Sequence, residues 1–348
     1  MLSWYFLTMN IPSKMLAVVK EKPEPGVVIK EVPVPHPGKD EVLVKVKAAS
    51  ICGTDINIYD WTPWAEGHLA PPAIIGHEVV GEIIEINSDD PQGLQIGDLV
   101  SSETHIFCGK CYQCRIGNKH ICENMELFGI GRDGGFAEYA VIPVRTAWKN
   151  DTSIPLEWMS TQEPLGNAVN VVQTAGVMGK VVAVFGLGPT GLCAVAVAKA
   201  YGATKVIGIN RGEFRRELGT KMGADEVYEM LPDKYTDSVD VVLEMSGNAD
   251  VICDALKAAR IAGTIVFFGI PKKEVSLDLG NFFINKELTA KSVFGRKIWQ
   301  TWYQVKDLLV NKKVDLSKII THRFKLSEFE EAMKAMKSGK AGKVLLTP

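Results

Sequence analysis

Cys108, Cys111, Cys114 and Cys122 follow the spacing CxxCxxCx7C in a Gly- and Lys-containing loop, and no other stretch limits the surrounding fold so tightly. Side chains three residues apart rarely meet the geometry of a disulfide, whereas four thiolates close a tetrahedral zinc site. Four protein ligands leave no open position for a substrate. Metal in this loop therefore has a folding role, with an apparent binding energy of about 10–16 kcal/mol. An iron–sulfur cluster is the alternative occupant.

Seven cysteines without a secretory leader point to a reducing compartment, hence the cytoplasm, where clustered thiols bind metal more often than they form disulfides. The segment Met1–Ile11 is apolar, with Trp4, Tyr5, Phe6 and Leu7, but lacks a basic start, a long apolar run and a cleavage site. It reads as an extension, with Met9 as an alternative start. No later run is long and uncharged enough to cross a bilayer. The 348 residues suffice for about two domains. A balance of 39 basic against 41 acidic residues gives no bulk attraction to nucleic acid or to a membrane.

From Met15 to Val46 short alternating strands are punctuated by Pro and Gly, a β-rich pattern in which His36, between two prolines, is turn chemistry. Then Ile-Cys-Gly-Thr-Asp-Ile-Asn, from Ile51 to Asn57, sets a thiol, a hydroxyl and a carboxylate within four positions. Cys52, followed by His77 and Glu78 in Gly-His-Glu, offers a donor set for catalytic zinc, provided one position stays open. Taken singly, Cys52 is a small core residue, His77 a hydrogen-bonded one and Glu78 a surface charge; the cysteine loop nearby favours the metal. Gly131 to Val144 reads as a turn and a strand closing this domain. A loop, Gln162-Glu163-Pro164-Leu165-Gly166, follows, with Glu163 either a second carboxylate near the metal or a helix-start charge.

The pattern changes at Gly179. Val181–Phe185 is a buried parallel-type strand, and Gly186-Leu187-Gly188-Pro189-Thr190-Gly191 leads from it into a helix over 192–201, with another strand at 205–209. Strand, glycine loop, helix and strand together are the context in which such a loop holds a dinucleotide pyrophosphate. Cys193 is packed in that helix. Where an NAD enzyme places Asp or Glu for the ribose, this chain has Asn210 and Arg211. The missing carboxylate removes repulsion against a 2′-phosphate, and Arg211 offers a charge-assisted contact of about 1.5–3 kcal/mol. NADP is therefore the favoured cofactor, with NAD the alternative. Arg215 and Arg216 either assist or are solvent-facing charges.

Strands at 239–243 and 264–268, separated by a helix over 249–260, continue a doubly wound sheet from about 167 to 295. Loops after these strands, Ser246 among them, line the nicotinamide cleft. Two amphipathic helices, 299–310 and 327–338, flank a strand at 319–324, and a last strand from Gly342 rejoins the first domain. The expected boundaries are 15–166 for the β-rich catalytic domain, completed by 296–348, and 167–295 for the Rossmann domain.

Over about Met15 to Leu346 the chain resembles the zinc-dependent medium-chain alcohol dehydrogenase family, and within it the L-threonine 3-dehydrogenase branch. The carrying motifs are Cys-Gly-Thr-Asp at 52–55, Gly-His-Glu at 76–78, Glu-Thr-His at 103–105, the four-Cys lobe, Glu-Pro-Leu-Gly-Asn-Ala at 163–168 and Ile-Trp-Gln-Thr-Trp-Tyr at 298–303. Glu-Thr-His and the Trp-rich segment are the ones closer to the threonine branch. The resemblance implies a GroES-like catalytic domain around a Rossmann domain, in a homotetramer. It also implies one structural and one catalytic zinc per chain, the latter on Cys52, His77 and either Glu78 or Glu163. Thr54 would join a proton relay and His105 lie near a small hydroxyl substrate.

Two departures flank the site. The threonine branch carries His five residues after the Cys, where this chain has Asn57, a side chain that takes no proton near neutral pH. Its ribose-binding acid is replaced by Asn210, a pattern closer to the NADP-using sugar dehydrogenases. The substrate is thus threonine-like or else a sugar, polyol or hydroxy acid. A catalytically silent binding relative is the reading from another class, opposed by the intact ligand set; a zinc-free quinone-reductase-like member is opposed by the cysteine lobe.

Overall fold

The computed structural model describes residues 11–348, so the expectations for residues 1–10, including Met9 as a start, lie outside the described residues. The β-rich part opens with β1 (Lys14–Lys20), β2 (Val28–Pro33) and β3 (Glu41–Ile51), then α1 (Gly53–Tyr59) and α2 (Pro63–Glu66). It continues through β4 (Ala73–Ile74), β5 (Glu78–Asn87) and β6 (Leu99–Ser102). The cysteine loop, containing α3 (Tyr112–Arg115), is closed by the antiparallel pair β7 (His105–Ile106) and β8 (Glu126–Leu127). Then come β9 (Tyr139–Pro143) and β10 (Ala147–Lys149). Of these, β3 is the spine: it pairs with β5 and with β9, and its end, rich in Val and Ala, is buried nearly throughout.

After α4 (Leu156–Met159), the expected loop at 162–166 is instead the first turn of a fourteen-residue helix, α5 (Gln162–Ala175), which also runs across the expected boundary at 166/167. Glu163-Pro164-Leu165-Gly166 looks like turn punctuation. Proline is tolerated in a first helical turn, where its missing N–H has no partner to lose. Gly166 answers a packing need: a Cβ there would lie 2.8 Å from Cδ of Arg296.

The second sheet is built from β11 (Val181–Phe185), α6 (Pro189–Ala200), β12 (Lys205–Ile209), α7 (Glu213–Lys221), β13 (Glu226–Tyr228), β14 (Val239–Glu244), α8 (Ala249–Ala258), β15 (Ala259–Phe267) and β16 (Thr289–Ser292). All its pairings are parallel, in the order β13-β12-β11-β14-β15-β16, the doubly wound arrangement whose switch point lies beside β11. The helix expected to reach residue 260 stops at Ala258 because Ala259 already pairs with Val239. Strand β16 was not legible: its residues, Thr-Ala-Lys-Ser, are all exposed and carry no apolar pattern.

The chain then returns through α9 (Gln300–Val310), β17 (Ile320–Lys325), α10 (Phe329–Lys337) and β18 (Lys343–Thr347). As expected, the last strand rejoins the first sheet, with Val344 opposite Ile51 on β3. No described helix is long and apolar enough to cross a membrane.

Candidate active site

Register brings the first donors together. Ser50 near the end of β3 lies opposite Glu78 at the start of β5, so Cys52 and His77, just beyond these ends, are neighbours. The donor atoms of Cys52, His77 and Glu78 lie within 4.8 Å of one another. Cys52 is the N-cap of α1, and its N–H donates to Oδ2 of Asp55 at 2.7 Å. Asp55 is fully buried, and burial pushes its carboxyl up to about 6. Its Oδ1 lies 3.6 Å from Nδ1 of His77, and neither atom has a hydrogen-bond partner. Asp55 thus backs the histidine, a role that the sequence, which placed it only in a motif, did not disclose. Thr54 Oγ1 stands 3.9 Å from the Cys52 sulfur.

Each candidate carboxylate has a buried cation. Glu78 is held by Ser50 Oγ and by Nζ of Lys343, which also donates to the Ile51 carbonyl at 3.1 Å. Its second oxygen has no partner. Glu163 accepts from Arg296 Nη1 and, at 3.3 and 3.2 Å, from Asn167 Nδ2. Burial opposes its charge, but Arg296, His77 and His105 together outweigh burial and hold Glu163 below the usual carboxylate range. The close group of donors contains Glu78 and not Glu163.

Arg296 joins a second, wholly buried set. Glu103 Oε1 accepts from Arg296 Nη2 at 2.6 Å and from both the N–H and Nδ1 of His105 at 2.8 Å; its Oε2 accepts from Trp302 Nε1 at 2.6 Å. Burial would raise the Glu103 carboxyl, yet Arg296, His105 and Trp302 together lower it to about 2. With a carboxylate on Nδ1, His105 carries its proton there and leaves Nε2 as the ring's acceptor. Gly295, at φ +59, packs its backbone on the ring: a Cβ there would lie 2.7 Å from His105 Cε1. Glu103 and Trp302 were visible only as motif letters and Arg296 lay in none of the motifs; buried polar groups break no periodicity, so no sequence signal separated them from surface groups.

The sulfurs of Cys108, Cys111, Cys114 and Cys122 also lie within 4.8 Å of one another. Backbone amides of Cys108, Cys111 and Cys114 donate to these sulfurs at 3.3–3.5 Å, stabilising thiolates. Four soft donors in that arrangement fit zinc, as does the Cys/His/Glu group, in which Glu78 Oε1 is buried without a partner.

The glycine loop fits a dinucleotide. Gly186 has φ +97 and its Cβ would lie 2.9 Å from the Ser246 backbone; a Cβ on Gly191 would strike the Gly186 carbonyl. Gly188 is the N-cap of α6, with Pro189 and Thr190 in its first turn, leaving amides to face an anion. Ser246 is anchored through its N–H to Glu244 at 2.8 Å. Asn210 turns its Oδ1 to the Leu187 N–H at 3.1 Å and its amide to the Gly212 carbonyl at 3.3 Å. Arg216 braces the carbonyls of Asn210 and Arg211. Arg211 is exposed, and Arg215 is half-buried with Nε unpartnered.

These two centres on two such sheets define a metal- and dinucleotide-dependent dehydrogenase. Residues 38–155 match the alcohol dehydrogenase GroES-like domain and residues 189–311 the zinc-binding dehydrogenase domain, so the chain belongs to the zinc-dependent alcohol dehydrogenase family and is an NAD(P)-dependent oxidoreductase of small-molecule alcohols. Within that family it is similar to L-threonine 3-dehydrogenases: 47% identical to that of Pyrococcus abyssi, over 95% of this chain and 98% of the other, and 42% to that of Bacillus subtilis, over 96% and 99%. Among solved structures, one from Sinorhizobium meliloti, assigned as a zinc-binding dehydrogenase and bound to NADP, superposes with a TM-score of 0.89 at 29% identity, covering 97% of this chain and 100% of that one.

Proposed function

We propose that the protein oxidises the secondary hydroxyl of L-threonine or a close β-hydroxy amino acid, with NADP favoured as hydride acceptor. One observation carries the substrate class: the Glu-Thr-His and Trp-rich segments that resemble the threonine branch meet in a single buried network, Glu103 joining His105, Arg296 and Trp302. The identity to threonine dehydrogenases supports it. On this reading residues 15–166 with 296–348 bind metal and substrate, and 167–295 bind the dinucleotide.

Cys52, His77 and Glu78 would hold the catalytic metal, with Glu163 as the carboxylate able to replace Glu78; Cys108, Cys111, Cys114 and Cys122 would hold the structural one. When bound, zinc supplies Lewis acidity toward the substrate hydroxyl and the nicotinamide supplies the hydride acceptor. Thr54 Oγ1, beside Cys52, is placed to pass on the hydroxyl proton. Asn57 cannot take that proton near neutral pH, so it leaves to solvent by another acceptor. His105 presents Nε2 as an acceptor to substrate, its ring fixed by Glu103 and Gly295. Gly186, Gly188, Pro189, Thr190 and Gly191 cradle the pyrophosphate, Ser246 borders the nicotinamide, and Asn210, Arg211 and Arg215 surround the ribose. Edge strand β16, with all four residues exposed, is suited to pairing between copies in a cytoplasmic homotetramer.

Steady-state rates with L-threonine, glucose, galactose and polyols, each with both cofactors, test the assignment. L-Threonine with NADP is expected to give the highest kcat/KM; a clear preference for a sugar or polyol transfers the protein to that branch.

A further inference from the structure

The ribose end of the dinucleotide site faces a cavity of about 420 Å3 whose walls come from both parts of the chain: Asn210, Gly212 and Arg215 on one side, Ile56, Met336 and Lys337 on the other. Asn210 has both polar atoms of its side chain engaged with backbone and, as an amide, sets no negative charge against a 2′-phosphate. Arg215 has no carboxylate within ion-pair reach among the described residues, and its Nε stands unpartnered. Lys337, in the last turn of α10, is paired with Asp60, the C-cap of α1, at 2.6 Å, with its Nζ 5.3 Å from the centre of the Tyr59 ring. Both partners of that ion pair are about two-fifths exposed, at 41% and 38%. Such a pair is weak and readily exchanged for a stronger anion.

We propose that Lys337 is a specificity-determining residue for the cofactor: it reaches across the cleft from α10, exchanging Asp60 for the 2′-phosphate of NADP, and closes a subsite that Arg211 and Arg215 open on the Rossmann side. This rests on the NADP reading above. A 2′-phosphate carries close to two charges and three acceptor oxygens; two arginines balance the charge but approach from the Rossmann side, and a lysine on the opposite wall supplies a donor to the oxygens they leave. With NAD the ribose hydroxyls offer no charge to compete with Asp60, so Lys337 stays on Asp60 and contributes nothing. Because Cys52 caps the start of α1 and Asp60 its end, the exchange occurs on the helix that begins at the metal site.

Calorimetric titration of the full-length, zinc-loaded protein with 2′,5′-ADP and with 5′-AMP separates the two ideas. The wild type is expected to bind 2′,5′-ADP more tightly than 5′-AMP. Lys337→Met is expected to weaken 2′,5′-ADP about 10-fold, the loss of one charge-assisted contact, with 5′-AMP changed less than about 2-fold and Lys337→Arg restoring most of the loss. Asp60→Asn, which removes the competing carboxylate, is expected to tighten 2′,5′-ADP or leave it unchanged. No preference in the wild type overturns the NADP reading itself. A wild-type preference that survives Lys337→Met, or a parallel loss for both nucleotides, or weaker 2′,5′-ADP binding by Asp60→Asn, overturns the role of Lys337 and leaves Arg211 and Arg215 as the phosphate site.

Discussion

Thr54 lies beside the Cys52 sulfur at 3.9 Å, on a helix whose first turn is fixed by the Asp55 cap. Positioned proton transfer contributes about 10²–10⁴-fold to a rate. Thr54→Ala is therefore expected to lower kcat by about 10²-fold or more while zinc content and cofactor affinity hold; unchanged turnover removes Thr54 from the relay. Glu103 supplies a second expectation. Its carboxyl titrates at about 2 in the folded protein against an ordinary 4.5, so it adds stability above about pH 4.5 that is lost as pH falls toward 2. Arg296→Met leaves Glu103 and Glu163 as buried, uncompensated carboxylates, at a cost of about 3–5 kcal/mol at neutral pH. Denaturant unfolding at pH 7 and pH 4 checks the sign: the variant's deficit is expected to shrink at the lower pH, as protonation removes the unpaired charge. Cys52, His77 and Glu78 were legible as residues because donors of those types rarely fall so close in sequence. Arg296 and Lys343 were not legible as partners, because their pairings join residues far apart in the chain; Asp55 was legible only as a letter of the Cys-Gly-Thr-Asp motif.

At the scale of elements, the cysteine lobe between β7 and β8 has a small apolar cluster, chiefly Phe107, Ile298 and the sulfurs themselves. So small a core makes the loop's order depend on metal. Cys111→Ser is expected to lose one zinc per chain and to open residues 108–122 to limited proteolysis; a resistant loop in that variant contradicts a structural metal. Strands β11, β12 and β14 were legible almost to the residue, since buried parallel strands are short continuous Val/Ile runs, whereas α6, expected from 192, begins within the glycine loop at Pro189. Helix α5 was misread as a loop at its start because Pro164 and Gly166 signal breaks in exposed chain. Here Gly166 is required by the approach of Arg296. Strand β16 escaped because an exposed edge strand of Thr, Ala, Lys and Ser has no pattern to read.

At the scale of the whole molecule, the β-rich sheet, completed by β18, carries the Cys/His/Glu group, and the six-stranded sheet carries the glycine cradle. Two sheets were legible from the change of hydrophobic period at Gly179, and so was the return of the last strand to β3. The way Arg296 ties Glu103 to Glu163 was not, since it depends on three segments meeting in space. Following reduced nicotinamide formation from L-threonine while zinc is removed stepwise with a chelator and counted tests most directly whether the protein is a threonine-oxidising zinc enzyme with two distinct metals. Two zinc per chain are expected at full activity, with activity falling in proportion to loss of one zinc and the fold retained by the other. No oxidation of L-threonine by protein holding two zinc, or full activity with only one zinc left, contradicts that assignment.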